Sequence, residues 1–200
     1  MDSDTLEPKK AMHDQFSVLG FPRCASLVEN DISSACDALT RGMTELPDSE
    51  KEVLAGQVNE ARQTLVSPAK RLRHWLQLEG KEGLCRQIAI DEDWMKLFGK
   101  VGQMLAQADS VTKRKREASS AIAKALIARD EVSARENLEA LQAELSDKNE
   151  TLLAVLMELD DEYQKGPDEN FFLKLAHVQG CFAYLERWQA QARQKWAELW

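Results

Sequence analysis

Residues 59–71 run Asn59-Glu60-Ala61-Arg62-Gln63-Thr64-Leu65-Val66-Ser67-Pro68-Ala69-Lys70-Arg71, and they contain the end of one helix and the start of the next. Apolar residues before the break recur every three or four positions, as on one face of a helix. They are Val53, Leu54, Val58, Ala61 and Leu65. Ser67 is a suitable N-cap and Pro68 fits the first helical position. The following helix carries Leu72, Trp75, Leu76 and Leu78, and Gly80 ends it.

Two further helices are predicted upstream. A short one spans residues 16–19 and is ended by Gly20. The second and third helices each begin at a predicted capping box, a serine followed three positions later by a glutamate. The boxes are Ser26 with Glu29, and Ser49 with Glu52. These two helices are long enough to pack antiparallel. The apolar side chains expected at their contact are Val28, Ile32, Leu39, Val58 and Leu65.

Downstream, three long amphipathic segments are predicted, at about residues 92–128, from 131 to 163, and from 168 to the C-terminus. A turn at Arg129-Asp130 separates the first two, with one kinked helix as the alternative. Gly166-Pro167 ends the second segment and Asp168 caps the third. The sequence thus predicts an all-α chain. It comprises a disordered leader (1–12), a helical hairpin domain (13–80), a linker (81–90), and an antiparallel three-helix bundle or coiled-coil hairpin (91–200).

Composition restricts the classes of function. The 200 residues are 44% hydrophobic and 30% charged, with a net charge of −8, so a folded core is expected and a nucleic-acid partner is not. The basic run Lys113–Arg116 is short and is expected to be a solvated helix face. No signal peptide and no membrane-spanning stretch are found in the sequence. These features predict a cytoplasmic protein.

The sequence lacks motifs for metal binding, redox chemistry and catalysis. The four cysteines are scattered and form no CxxC pair, so we predict neither a metal site nor a redox motif. The acidic runs Asp91-Glu92-Asp93 and Asp160-Asp161-Glu162 have no histidine partner, and no glycine-rich phosphate loop is present. We therefore expect no catalytic residues, no cofactor and no enzymatic activity.

Several motifs together resemble a known family. Asp14-Gln15-Phe16-Ser17-Val18-Leu19-Gly20-Phe21-Pro22 resembles the opening of a J-domain, especially that of HscB, the iron–sulfur cluster co-chaperone. Asn59 to Leu65 resembles the third J-domain helix, and Ser67 to Gly80 resembles the fourth. Asp91-Glu92-Asp93-Trp94-Met95 resembles the entry to the C-terminal bundle of HscB. The resemblance implies a J-like domain followed by a bundle that binds an iron–sulfur scaffold protein.

The sequence departs from the J-domain pattern in the loop between the second and third helices. A working J-protein has His-Pro-Asp there, after a basic helix, and stimulates ATP hydrolysis by a DnaK-type or HscA-type chaperone. Here the loop offers Thr44-Glu45-Leu46, or Leu46-Pro47-Asp48 two residues on, and neither contains histidine. From residue 31 to 50 the only base is Arg41, against five acids. Like charge would slow the encounter with an acidic docking face, so we expect no stimulation.

Two questions are left open by the sequence. Trp94, Met95, Leu97 and Phe98 are the candidate partner-binding residues, since apolar residues of the bundle lie at the scaffold interface in the family; the alternative is that they pack at the junction of the two domains. The alternative function is that of a repurposed adaptor or an oligomeric coiled-coil scaffold. A homodimer is then conceivable, with the terminal Trp200 in its interface.

Overall fold

The computed structural model describes residues 13–86 and 91–200, and these contain seven α-helices and no strand. The helices are α1 (Gln15–Val18), α2 (Glu29–Gly42), α3 (Asp48–Val66), α4 (Pro68–Leu78), α5 (Glu92–Glu117), α6 (Ala121–Gln164) and α7 (Glu169–Glu198). Two short 3₁₀ turns cover Met43–Glu45 and Glu82–Arg86. The all-α prediction is confirmed. The predicted leader and residues 87–90 of the predicted linker lie outside the described residues.

The second and third helices pack against each other, as predicted. Their contact buries Ile32 and Cys36 of α2 against Val58, Ala61 and Leu65 of α3. The expectation for Val28 was wrong. Val28 precedes α2 and is 56% exposed, because its extended backbone holds the side chain off the face that α2 turns toward α3.

Both predicted capping boxes were also wrong. Val28 is the N-cap of α2 and makes no side-chain cap, because valine has no side-chain acceptor. Ser26 lies two positions earlier and donates to Asp160 instead. Helix α3 begins at Asp48, directly after Pro47, whose φ of −59° and ψ of 148° set up the helix start. Ser67 does cap as predicted: its Oγ accepts from the backbone N–H of Lys70 at 3.2 Å.

The first boundary in the tail lies earlier than predicted. Helix α5 ends at Glu117, so Arg129-Asp130 lies inside α6. The Oγ of Ser120 caps α6 by accepting from the N–H of Ala123 at 3.1 Å. Because the break at 118–120 contains neither glycine nor proline, the composition gave only a weak sign of it. The second break is as predicted, with Gly166 at a φ of +104° and Asp168 capping α7.

The two predicted domains share one apolar core. Trp75 of α4 is completely buried and packs edge-on against Tyr163 of α6, with ring centroids 4.8 Å apart, and against Phe171 of α7 at 6.0 Å. Replacing such a core aromatic residue with alanine typically costs about 3–5 kcal/mol. The J-like helices are therefore held on the ends of α6 and α7 by aromatic packing.

Polar contacts reinforce the same junction. The Glu186 carboxylate on α7 accepts from the Ser67 hydroxyl at 2.8 Å and from the backbone N–H of Ala69 at 3.1 Å. Arg71 is buried and donates to the carbonyl oxygens of Leu65 and Ala25 at 2.5 and 2.6 Å. Such contacts to charged groups are strong and directional. They fix the orientation of α4 on the bundle.

The outer half of the tail has its own core. Leucines of α6 pack in one buried cluster with side chains of α5 and α7, as expected of amphipathic helices. The buried members include Val101, Ala108, Leu138, Leu141, Leu145, Leu185, Trp188 and Ala192. The three-helix tail expected from the sequence is confirmed. No helix in the part of the chain that the structure describes is sufficiently long and apolar to cross a bilayer.

Candidate partner-binding surfaces

The four candidate partner-binding residues lie in the first turns of α5. Asp91 caps this helix, accepting from the N–H of Trp94 at 2.9 Å. Met95 is 56% exposed and Phe98 is 53% exposed, whereas Leu97 is buried and Trp94 is half-buried. Met95 and Phe98 are thus presented to solvent. Leu97 points into the tail core and supports the helix from beneath.

An aromatic cluster surrounds Trp188 of α7. Its ring lies 6.1 Å from that of Trp94, 5.8 Å from that of Phe98 and 5.5 Å from that of Tyr184. These offset and edge-on arrangements are favourable. The cluster joins α5 to α7 within the tail. The sequence prediction included Trp94 and Phe98 but not Tyr184 or Trp188, which lie about ninety positions further along the chain.

A groove runs beside this cluster between α5 and α7. Its pocket has a volume of about 220 Å³. The lining residues are Phe98, Val101, Gly102, Leu105, Tyr184, Arg187, Trp188 and Gln191. Exposed aromatic and aliphatic walls with one guanidinium at the rim suit an apolar side chain of a partner that also carries a carboxylate. Of these residues the sequence predicted only Phe98, because Tyr184, Arg187 and Trp188 lie far along the chain and no local pattern connects them with it.

The loop between α2 and α3 forms the second surface. Thr44, Glu45, Pro47 and Asp48 are exposed, and Leu46 is half-buried. Met43 is buried and attaches the loop to the core. The loop is therefore accessible to a partner, but its accessible side chains are a hydroxyl, two carboxylates and a proline ring.

His74 and His177 make their contacts away from the α2–α3 loop. His74 of α4 is buried, and its Nε2 accepts from the backbone N–H of Gln15 at 3.0 Å. Burial lowers the pKa of His74, so the ring is held in its neutral form. His177 of α7 lies 3.6 Å from the Cys181 sulfur. Neither imidazole is near the α2–α3 loop.

The thiols provide no reactive centre in this structure. Burial raises the pKa of Cys24 and of Cys181 to about 11, and it also raises the pKa of Cys36 and Cys85. A thiol with a raised pKa is a poor nucleophile. Among residues 13–86 and 91–200, no three histidine, cysteine or carboxylate side chains are grouped as metal ligands would be.

A solved structure has a similar arrangement of helices over nearly the whole chain. The structure of chaperone HscB from Vibrio cholerae superimposes with a TM-score of 0.56, covering 94% of this chain and 100% of that one, at 17% sequence identity. The chain has an HscB-like fold. No protein-family model matches the sequence, and no curated protein matches it. The HscB-like arrangement thus extends over both the J-like helices and the tail.

Proposed function

We propose that this protein is an HscB-like, co-chaperone-type binding protein that has lost the ability to stimulate a chaperone ATPase. It catalyses no reaction itself and acts in the cytoplasm, as the resemblance to HscB implies. Its tail binds a partner protein, and the same resemblance suggests that this partner is an iron–sulfur scaffold protein. The observation that carries the proposal is the exposed aromatic groove between α5 and α7.

The groove has the properties of a protein-recognition site. Met95 and Phe98 are more than half exposed beside a pocket whose floor is the buried ring of Trp188. Aromatic side chains at the centre of an interface commonly provide most of its binding energy. Methionine adapts its shape to different partners. Because the floor is a buried ring and the rim is accessible, the groove is already present in the unbound chain, which lowers the cost of binding.

The loss of ATPase stimulation is supported by the α2–α3 surface. Glu29, Asp31 and Asp37 of α2 are exposed, against the single cation Arg41. The loop presents Glu45 in addition and carries no imidazole. A DnaK-type docking face is acidic in the family, so electrostatic repulsion would slow the encounter.

Calorimetric titration against a purified iron–sulfur scaffold protein tests the binding half of the proposal. We expect saturable one-to-one binding, and we expect Phe98→Ala to weaken it by at least about tenfold, as loss of a central aromatic contact does. Leu153→Ala is the matched control, since Leu153 is an exposed apolar residue on α6. Absence of binding by the unaltered chain would refute this assignment.

Steady-state ATPase assays with DnaK-type and HscA-type chaperones test the other half. We expect the ATPase rate to stay at its basal value with the chain in excess. A dose-dependent rise would show that the loop functions without histidine and would overturn this part of the proposal.

A further inference from the structure

Helix α6 extends well beyond the end of α7. The end of α7 lies beside residues 135–139 of α6. Trp196 in the last turn of α7 donates from its Nε1 to Glu139 at 3.0 Å, and the ring of Trp200, just after α7, lies 4.4 Å from the Arg135 guanidinium. Residues 121–134 of α6 therefore continue for about 20 Å past α7. Within the described part of the chain, only the end of α5 lies beside these residues. We call residues 113–131 the tip of the tail.

The tip exposes aliphatic side chains. Ile122 is 76% exposed and Leu126 is 71% exposed, and residues four apart lie on one face of a helix. The buried Ile127 faces α5 instead. Two neighbouring exposed aliphatic side chains offer a partner apolar surface to bury. Nothing else in the described chain covers this pair.

The tip is also basic. It contains six basic and three acidic residues in a chain whose net charge is −8. Arg114 and Lys115 pair with Asp130 and Glu131, at 2.8 and 3.4 Å. The other four cations have no ion-pair partner within residues 13–86 and 91–200. They are Lys113, Arg116, Lys124 and Arg129.

The same chain carries a complementary surface. Residues 29–60, which form the α2–α3 hairpin, contain eight acidic and two basic residues, and all eight acids are exposed. Val53, also on this hairpin, is 63% exposed. The hairpin thus presents carboxylates around an exposed aliphatic residue, and the tip presents cations around two.

The two surfaces cannot meet within one molecule. Asp160, near the far end of α6, is hydrogen-bonded to Ser26 just before α2, and the tip lies at the other end of this continuous helix. The separation along α6 is about 60 Å. Any pairing of tip with hairpin must therefore join different copies.

We propose that the tip docks on the acidic α2–α3 hairpin of a second copy of this chain. Each copy has one tip and one hairpin, so a closed pair with two-fold symmetry satisfies both surfaces twice. The aliphatic residues provide the desolvated centre and the charges provide orientation and specificity. This inference does not depend on the proposed binding of a partner by the tail, because the groove at Phe98 is not part of either surface.

Reciprocal charge reversal provides the test. One variant carries Lys124→Glu and Arg129→Glu on the tip; a second carries Asp37→Lys and Glu52→Lys on the hairpin. Size-exclusion chromatography with light scattering at about 0.05 M salt, where screening is weak, gives the mass of each. We expect the unaltered chain at twice its 22.6 kDa, and both variants as monomers. An equimolar mixture of the two should recover the dimer, since both of its contacts pair opposite charges.

The outcomes are distinct. Arg193→Glu removes an exposed cation of α7 outside both surfaces and should remain dimeric, and circular dichroism should show unchanged helix content for every variant. A mixture that stays monomeric overturns the proposal, as does an unaltered chain that is monomeric under these conditions. A monomer that sediments with anionic vesicles, or that binds an acidic protein irrespective of the hairpin changes, would assign the tip to a different partner and also overturn it.

Discussion

The Asp160 carboxylate of α6 accepts hydrogen bonds from both the backbone N–H and the hydroxyl of Ser26, at 2.9 and 2.5 Å. Its other oxygen accepts from the N–H of Ala25 at 2.5 Å. One side chain of the tail thus satisfies three donors of the segment that leads into α2. This contact explains why Ser26 does not cap α2, and it fixes the J-like helices relative to the bundle.

Asp160→Ala should therefore lower the free energy of unfolding by about 2–4 kcal/mol, because two part-buried backbone N–H groups lose a charged acceptor. Urea denaturation followed by circular dichroism gives this value. Asp161→Ala is the matched control, because Asp161 is the next residue on the same helix and is exposed. This change should alter the free energy of unfolding by less than about 0.5 kcal/mol. Equal effects of the two changes would show that the Asp160 contacts contribute nothing.

Arg71→Met should destabilise the protein by about 3 kcal/mol, because the carbonyl oxygens of Leu65 and Ala25 would be left buried without a donor. Burial lowers the pKa of Arg71 to about 10, so the guanidinium still carries its charge near neutral pH. Arg73→Met, two positions on, removes an exposed arginine paired with Glu82 and should cost less than about 1 kcal/mol. A stability of Arg71→Met equal to that of the unaltered chain would contradict the assigned role.

His74 should make stability depend on pH. Because burial lowers its pKa in the folded protein, the unfolded chain binds the proton more readily. The stabilisation is complete above the unfolded pKa of about 6.5 and is lost as the pH falls below it toward the folded pKa. Protonation would also remove the acceptor for the N–H of Gln15.

Thermal denaturation between pH 8 and pH 5 measures this effect. The midpoint should fall on the acid side, and His74→Gln, which keeps an acceptor but does not titrate, should flatten the curve over this range. A curve of unchanged shape in the variant would assign the acid sensitivity to other groups.

The missing histidine of the α2–α3 loop and the acidic surface of α2 can be tested separately. Leu46→His alone restores His-Pro-Asp, since Pro47 and Asp48 already follow. We expect no ATPase stimulation from this change, because the α2 surface stays acidic and repels the chaperone. Adding Asp31→Lys and Asp37→Lys should produce measurable stimulation in the same assay. Stimulation by Leu46→His alone would show that the missing imidazole is the only defect.

Periodic apolar spacing allowed most of the fold to be predicted. The stripe from Val58 to Leu65, the Ser67-Pro68 start of α4 and the Gly166 to Asp168 break all lie where the pattern placed them. The predicted helix ends were wrong where a local capping residue is hydrogen-bonded to a distant side chain, or where the break between two helices contains neither glycine nor proline. Ser26 was predicted to cap because Glu29 follows three positions later, whereas in the structure its N–H and hydroxyl donate to Asp160.

The candidate site was likewise predicted in part, on α5, and missed where it depends on residues distant in sequence. The exposed positions of Met95 and Phe98 on α5 agree with their prediction as partner-binding residues, although that role remains a prediction. The groove itself required Tyr184 and Trp188, which no local pattern could bring beside Phe98.

The amino-acid sequence by itself determined the helices, most of their ends, the lack of histidine in the loop and the excess of acid on α2, because these follow from spacing and residue type within a few turns. Only the tertiary structure decided which faces meet. Long-range packing placed Trp75 and Trp188 in separate cores and left Ile122 and Leu126 exposed beyond the end of α7. Contacts between distant parts of the chain set those outcomes, since Trp75 packs against Tyr163 and Phe171 and the Asp160 carboxylate accepts from Ser26, 134 positions away.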